Sequence, residues 1–169
     1  MYPDIVVVCG LPGTGKTTFA KALATAIDAD HHNSDKVRHA SRKRGQYELA
    51  TRLKIYESLR ELAETSLAAK RSVVIDATFY LQKMRKYFLP PAVPVNVTTA
   101  FIHMTAEESL IEQRTAQRRT YSEANFDVYL KLKSGWEPLE YPHLVLESES
   151  MPLEDLVNKA TRYLLKSGT

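Results

Sequence analysis

Apolar positions along the chain fall into two alternating rhythms. Residues 5–9 (IVVVC) and 72–76 (SVVID) are short, continuous and β-branched, the pattern of strands buried on both faces. Between them, apolar residues recur at spacings of three and four, as on an amphipathic helix. Phe19, Ala22, Leu23 and Ala26 do so within 15–27, and Leu49, Leu53, Tyr56, Leu59, Ala63 and Leu67 within 47–70. Residues 29–33 form a weaker strand candidate, and 81–89 a helix stopped by Pro90-Pro91. A strand is expected over 95–103. The spacing of Thr105-Ala106-Glu107-Glu108 then predicts a capping box opening a helix to about residue 119. A second such box, Thr120 to Glu123, is expected to open a helix ending at Ser134-Gly135. A strand over 143–146 and an amphipathic helix over 153–165 complete the pattern.

Apolar strands alternating with helices imply a parallel sheet covered on both sides, with ligands bound beyond the carboxyl ends of its strands. The 169 residues, 44% of them hydrophobic, are enough for one packed domain and too apolar for a disordered chain. A single cysteine excludes an intrachain disulfide and any four-cysteine zinc module, and suits a reducing cytoplasm. No apolar run approaches the roughly 20 residues of a membrane helix. The start Met1-Tyr2-Pro3-Asp4 lacks the basic and apolar segments of a signal peptide, so a cytoplasmic location is expected.

The first strand runs into Gly10-Leu11-Pro12-Gly13-Thr14-Gly15-Lys16-Thr17, which matches G-x-x-x-x-G-K-[ST] at every fixed position. Chance would produce such a match in roughly one chain in two hundred of this length, and a buried strand before it with a helix after it is the context that confirms it. Gly10, Gly13 and Gly15 let the backbone turn its N–H groups, with those of Thr14 and Thr18, toward a β-phosphate at the positive end of a helix. Lys16 sets a positive charge across the β- and γ-phosphates, and the Thr17 hydroxyl is a ligand for Mg²⁺. ATP or another purine nucleoside triphosphate is the expected ligand of such a loop.

The next chemical signal is Asp35-Lys36-Val37-Arg38. If Ser34 caps a helix, Asp35 and Arg38 share a face of its first turn, where a carboxylate can take a proton from an attacking hydroxyl. Asp76 ends an apolar strand, placed either to reach Mg²⁺ or to cap the next turn. Thr78 can touch the acceptor or the backbone. Arg114 and Arg118 lie four apart on one helix face, with Arg119 beside them.

At these residues the chain resembles the P-loop kinases, in the branch that holds polynucleotide 5′-hydroxyl kinases, zeta-toxin-like proteins and small-metabolite kinases. The resemblance spans nearly the whole chain and implies one α/β domain over 1–169, a P-loop NTPase fold with a five-stranded parallel sheet flanked by helices. It implies that Asp35 is the general base, that Arg38 clamps the acceptor, and that Arg114 and Arg118 belong to a short helical lid over about 114–122. Asp35 to His39 also echoes the Asp-x-x-Arg-His stretch of adenylylsulfate kinases, although the Phe-Ile-Ser-Pro acceptor loop of that group is absent.

The net charge of +3 hides an uneven distribution: −2 over residues 1–35, +8 over 36–119 and −3 over 120–169. Arg38, Arg42, Lys43 and Arg44 form one basic cluster, and Lys83, Arg85 and Lys86 a second. Two basic patches flanking a cleft suit a polyanionic acceptor, so the 5′-hydroxyl of a DNA or RNA end is expected ahead of a small metabolite, nucleotide sugar or adenylylsulfate. A nucleotide-dependent switch with no acceptor is the alternative from another class. His31 and His32, adjacent in a strand, point to opposite faces and make a poor chelate. No membrane contact is expected, and the pattern leaves the oligomeric state open.

Overall fold

The computed structural model describes residues 1–41, 48–117 and 124–167. Five strands, β1 (Ile5–Cys9), β2 (Asp30–Asn33), β3 (Val73–Asp76), β4 (Thr99–Thr105) and β5 (His143–Glu147), form one sheet in the order β2-β3-β1-β4-β5, with every pairing parallel. The α/β class, the sheet and its flanking helices are as the hydrophobic pattern predicted. The helices are α1 (Lys16–Ala26), α2 (Ser34–Ala40), α3 (Leu49–Ala68), α4 (Gln82–Arg85), α5 (Glu108–Ala116), α6 (Phe126–Ser134) and α7 (Leu153–Ser167).

Successive strand residues face opposite sides, so β1 feeds two cores. Val6 and Val8 pack with Phe19, Leu23, Leu156 and Leu164 under α1 and α7. Ile5, Val7 and Cys9 pack with Ile55, Leu59, Phe79, Phe88 and Phe101 under α3. Every residue of β1 and β3 is buried, which is why those strands read as unbroken apolar runs. Burial pushes the Cys9 thiol up to about 12, leaving it a neutral core side chain.

Several boundaries differ from expectation. Val95 is 89% exposed and β4 begins only at Thr99, because the chain first turns through Pro94, whose carbonyl accepts from the Val97 N–H at 3.0 Å. The 81–89 helix is a single turn, α4, followed by a 3-10 turn over Lys86–Phe88. Thr105 opens no capping box: it is still paired in β4 opposite Glu147, and α5 starts after Glu107, whose N–H donates to Glu149 Oε1 at 2.6 Å. The Thr120–Glu123 box lies outside the described residues; the side chain that caps α6 is Asn125, accepting from the Val128 N–H at 3.0 Å.

Candidate active site

The carboxyl ends of the strands converge on one cavity of about 610 Å³, lined by the loop after β1, the start of α2, the face of α3, and residues after β3, β4 and β5. Its floor is the 10–17 loop. Gly10 has φ +157°, and a Cβ there would sit 2.5 Å from the Met104 carbonyl oxygen, so β4 passes too close for any side chain. Gly13 and Gly15 hold φ +84° and +82°, in the left-handed region. The Thr14 hydroxyl donates to the Leu11 carbonyl at 2.8 Å and Lys16 Nζ to the same oxygen at 3.3 Å, folding the loop onto itself. Gly15 ends the loop, and no side chain caps the first N–H groups of α1, an arrangement suited to an anion.

The cap of α2 is Asn33 rather than Ser34. Its Oδ1 accepts from the Lys36 N–H at 3.0 Å, and its Nδ2 donates to Asp76 Oδ2 at 2.7 Å and to Thr17 Oγ1 at 3.3 Å. One amide thereby joins the phosphate loop, α2 and the end of β3. Asp76 is fully buried; Oδ2 also meets His31 Nε2 at 3.3 Å, while Oδ1 has no hydrogen-bond partner among the described residues. The unsatisfied Asp76 oxygen and the Thr17 hydroxyl, which share the Asn33 amide, are both oxygen donors of the kind a hard divalent cation such as Mg²⁺ takes. His32 turns the other way, to Ser66 Oγ at 3.2 Å, and burial lowers its pKa.

Asp35 and Arg38, three residues apart on α2, both line the cavity, as do Lys16, Thr17, Thr18 and Thr78. Arg114 from α5 reaches the loop, with Nη1 donating to the Gly13 carbonyl at 3.1 Å and to Ser148 Oγ at 2.8 Å. Among the described residues, Lys16, Lys21, Lys36, Arg38, Arg52 and Arg114 line the cavity together with one acid, Asp35.

A family model described as an AAA domain, AAA_33, matches residues 5–139. The chain belongs to this AAA-domain family. No curated protein matches the sequence. Among solved structures, this AAA domain resembles a sugar kinase from Janibacter sp. HTCC2649, at 24% identity and TM-score 0.72, over 98% of this chain and 95% of that one. A gluconokinase from Sinorhizobium meliloti 1021 gives 20% identity and TM-score 0.74, covering 98% and 93%. The APS kinase of Mycobacterium tuberculosis, in complex with AMPPNP and APS, gives 16% and 0.76, covering 98% and 99%.

Within the AAA domain, the expected residues divide by job. Gly10 and Thr14 shape the loop without lining the cavity, and Asp76 reaches its neighbourhood only through Asn33. Arg118 and Arg119, and most of the lid beyond Gln117, lie outside the described residues, as do Arg42, Lys43 and Arg44. Arg85, expected beside the acceptor, is instead fully buried. Its guanidinium donates to the carbonyls of Phe79, Tyr80, Glu137 and Pro138, tying the segment after β3 to the segment after α6. Trp136 packs against His103, ring centroids 4.8 Å apart, on the core side rather than in the cavity. Sequence reasoning missed Asn33, Arg52, Tyr56 and Ser148. Asn33 and Ser148 stood directly at strand ends, a legible signal; which face of a long helix carries Arg52 and Tyr56 toward the cavity was not legible.

Proposed function

We propose that this AAA domain is an ATP-dependent kinase that transfers the γ-phosphate to a hydroxyl of a small molecule. The observation that carries the reading is the shared cavity: Asp35 and Arg38 of α2 face the same space as Lys16 and Thr17 of the phosphate loop. A switch needs the loop alone; a carboxylate with a neighbouring guanidinium suits a hydroxyl acceptor.

In this reading the loop N–H groups and Lys16 hold the triphosphate, and Arg114, braced on Gly13 and Ser148, stands over the same phosphates. Thr17 and Asp76 would hold Mg²⁺, which when bound would supply neutralising charge to the transferring phosphoryl group. Asp35 accepts the acceptor's hydroxyl proton as that oxygen bonds to the γ-phosphorus. The bond from the γ-phosphorus to the β,γ-bridging oxygen breaks, and ADP leaves with its electron pair. Arg38 holds the acceptor.

Small-molecule acceptors are supported by the sugar kinase, gluconokinase and APS kinase among the structural neighbours, and by a cavity volume in the range of small-molecule sites. Burial of Arg85 also weakens the second basic patch that pointed to nucleic acid. A polynucleotide 5′ end is the second reading, favoured by the net +8 over residues 36–119. A cytoplasmic setting would supply the nucleotide and Mg²⁺; no helix among the described residues is long and apolar enough to cross a membrane.

The test offers γ-labelled ATP with polyols, sugar acids, nucleosides, adenylylsulfate and 5′-hydroxyl oligonucleotides. Label is expected on a small molecule, and Asp35→Asn is expected to lower kcat roughly 10²- to 10⁴-fold while ATP still binds. Steady hydrolysis with no acceptor labelled refutes the kinase reading.

A further inference from the structure

We propose that His31 of β2 is a positioning residue of the candidate Mg²⁺ site: its imidazole N–H holds one oxygen of Asp76 so that the other, Oδ1, is left for the cation. This rests on the Mg²⁺ part of the reading above and adds to it a residue with no assigned role.

β2 is an edge strand beside β3, and the parallel register sets Asn33 opposite Asp76 and His31 opposite Val74. His31 and Asn33, two residues apart, share a face of β2, while His32 turns away to Ser66. Both reach the same atom: His31 Nε2 lies 3.3 Å from Asp76 Oδ2, and Asn33 Nδ2 lies 2.7 Å from it. Two acceptors so close would repel each other, so the nitrogen facing the carboxylate carries the proton and donates it. Asp76 Oδ2 therefore takes two donors. Oδ1, buried as well, takes none among the described residues.

That asymmetry suits a metal ligand. A carboxylate free to turn about its last bond exchanges its two oxygens, whereas one whose Oδ2 is held by two donors presents Oδ1 alone. An oxygen left without a donor in the interior is costly, and a pair that served only to bury the acid has no use for one. The Asn33 amide is shared among three elements, because it also reaches Thr17 and its oxygen caps α2. His31 has the carboxylate as its one hydrogen-bond partner among the described residues. Its side chain is 11% exposed and borders a surface hollow with Lys21, Thr25 and Lys36, so it can be exchanged without opening a cavity in either core.

The experiment measures AMPPNP binding by calorimetry, with saturating Mg²⁺ and again with EDTA, in wild type, His31→Leu and His31→Gln. Glutamine can put an amide N–H near the place of Nε2; leucine has no donor. Mg²⁺ should tighten AMPPNP binding in wild type. The tightening should be roughly 10- to 100-fold smaller in His31→Leu and largely return in His31→Gln, with the affinity in EDTA the same in all three. Melting temperatures of the unliganded variants check their folding, and His31→Met replaces His31→Leu as the variant without a donor if leucine unfolds the chain. A second measurement uses Asp76→Asn, in which the route through the carboxylate is already gone: there His31→Leu should change the tightening no further. Undiminished tightening in His31→Leu, equal losses in His31→Leu and His31→Gln, or a further loss on top of Asp76→Asn overturns the inference. So does a wild-type affinity indifferent to Mg²⁺, which removes the metal site itself. The acceptor assay judges the kinase reading separately: tightening that depends on His31, in a protein that labels no acceptor, supports the inference and refutes only the kinase reading.

Discussion

Removing the Asn33 amide should expose how the site is held together. Asn33→Ala deletes the cap of α2, worth about 1 kcal/mol. It also deletes the 2.7 Å hydrogen bond to the buried Asp76 carboxylate, a bond to a charged acceptor worth about 1.5–3 kcal/mol. The sum, roughly 2.5–4 kcal/mol, should appear in urea unfolding as a lower midpoint at unchanged slope. For a chain of this size it corresponds to a melting temperature lower by roughly 5–15 °C. Asn33→Ser separates the two parts, since a serine oxygen can cap α2 but is too short to reach Asp76 as well; it should recover about 1 kcal/mol. Because Asn33 orients Thr17 and Asp76, both variants should also need roughly 10- to 100-fold more Mg²⁺ for half-maximal ATP turnover. Wild-type stability in Asn33→Ser would refute the contribution of the amide–carboxylate bond. An unchanged Mg²⁺ requirement in both variants would refute the bridge between helix cap and metal site.

Gly10→Ala places a Cβ 2.5 Å from the Met104 carbonyl oxygen at φ +157°, so it should cost about 2 kcal/mol or more and abolish nucleotide binding, read by calorimetry with AMPPNP. Arg85→Met strands four carbonyls, and a loss of about 3 kcal/mol or more, with a melting temperature lower by at least about 6 °C, is the expected outcome; wild-type stability would mean water or backbone shifts satisfy them. Burial, then His143 and Arg85 nearby, bring the His103 pKa down from 6.5 to about 4. The unfolded chain therefore binds a proton that the native one refuses as pH falls from 6.5 toward 4, so stability is lost over that window, by on the order of 2–3 kcal/mol. His103→Phe keeps a ring against Trp136 and should flatten that part of the acid limb in a pH series of unfolding curves; an unaltered limb would place the acid sensitivity elsewhere.

Much of this molecule is legible residue by residue because its signals are local. A strand buried on both faces has no polar position to offer, so β1 and β3 announce themselves as IVVVC and VVID. The phosphate loop is equally local, since backbone turning needs glycine at fixed steps and the lysine and threonine must follow at the helix start. Asp35 and Arg38 are readable because three residues along a helix means one face. The errors have a common origin in competition between local and distant partners. Thr105 has the spacing of a capping residue, but pairing with β5 keeps it in the strand. Ser34 is an acceptable cap, but Asn33 does that job while its amide also satisfies Asp76 and Thr17. Arg85 carries the same charge as its neighbours Lys83 and Lys86, yet the carbonyls of Phe79 and Tyr80 just before it and of Glu137 and Pro138 far along the chain draw it into the interior.

The amino-acid order alone thus determined the class of the fold, the phosphate loop and the acid with its arginine, because each depends on spacing within one element. The tertiary structure decided which polar groups share a space: that Asn33 knits three elements, that Asp76 keeps one buried oxygen unsatisfied, and that Arg52 stands across the cavity on α3. Those are relations between segments far apart in the chain, fixed by how the two cores settle against the sheet, and no spacing along the chain encodes them.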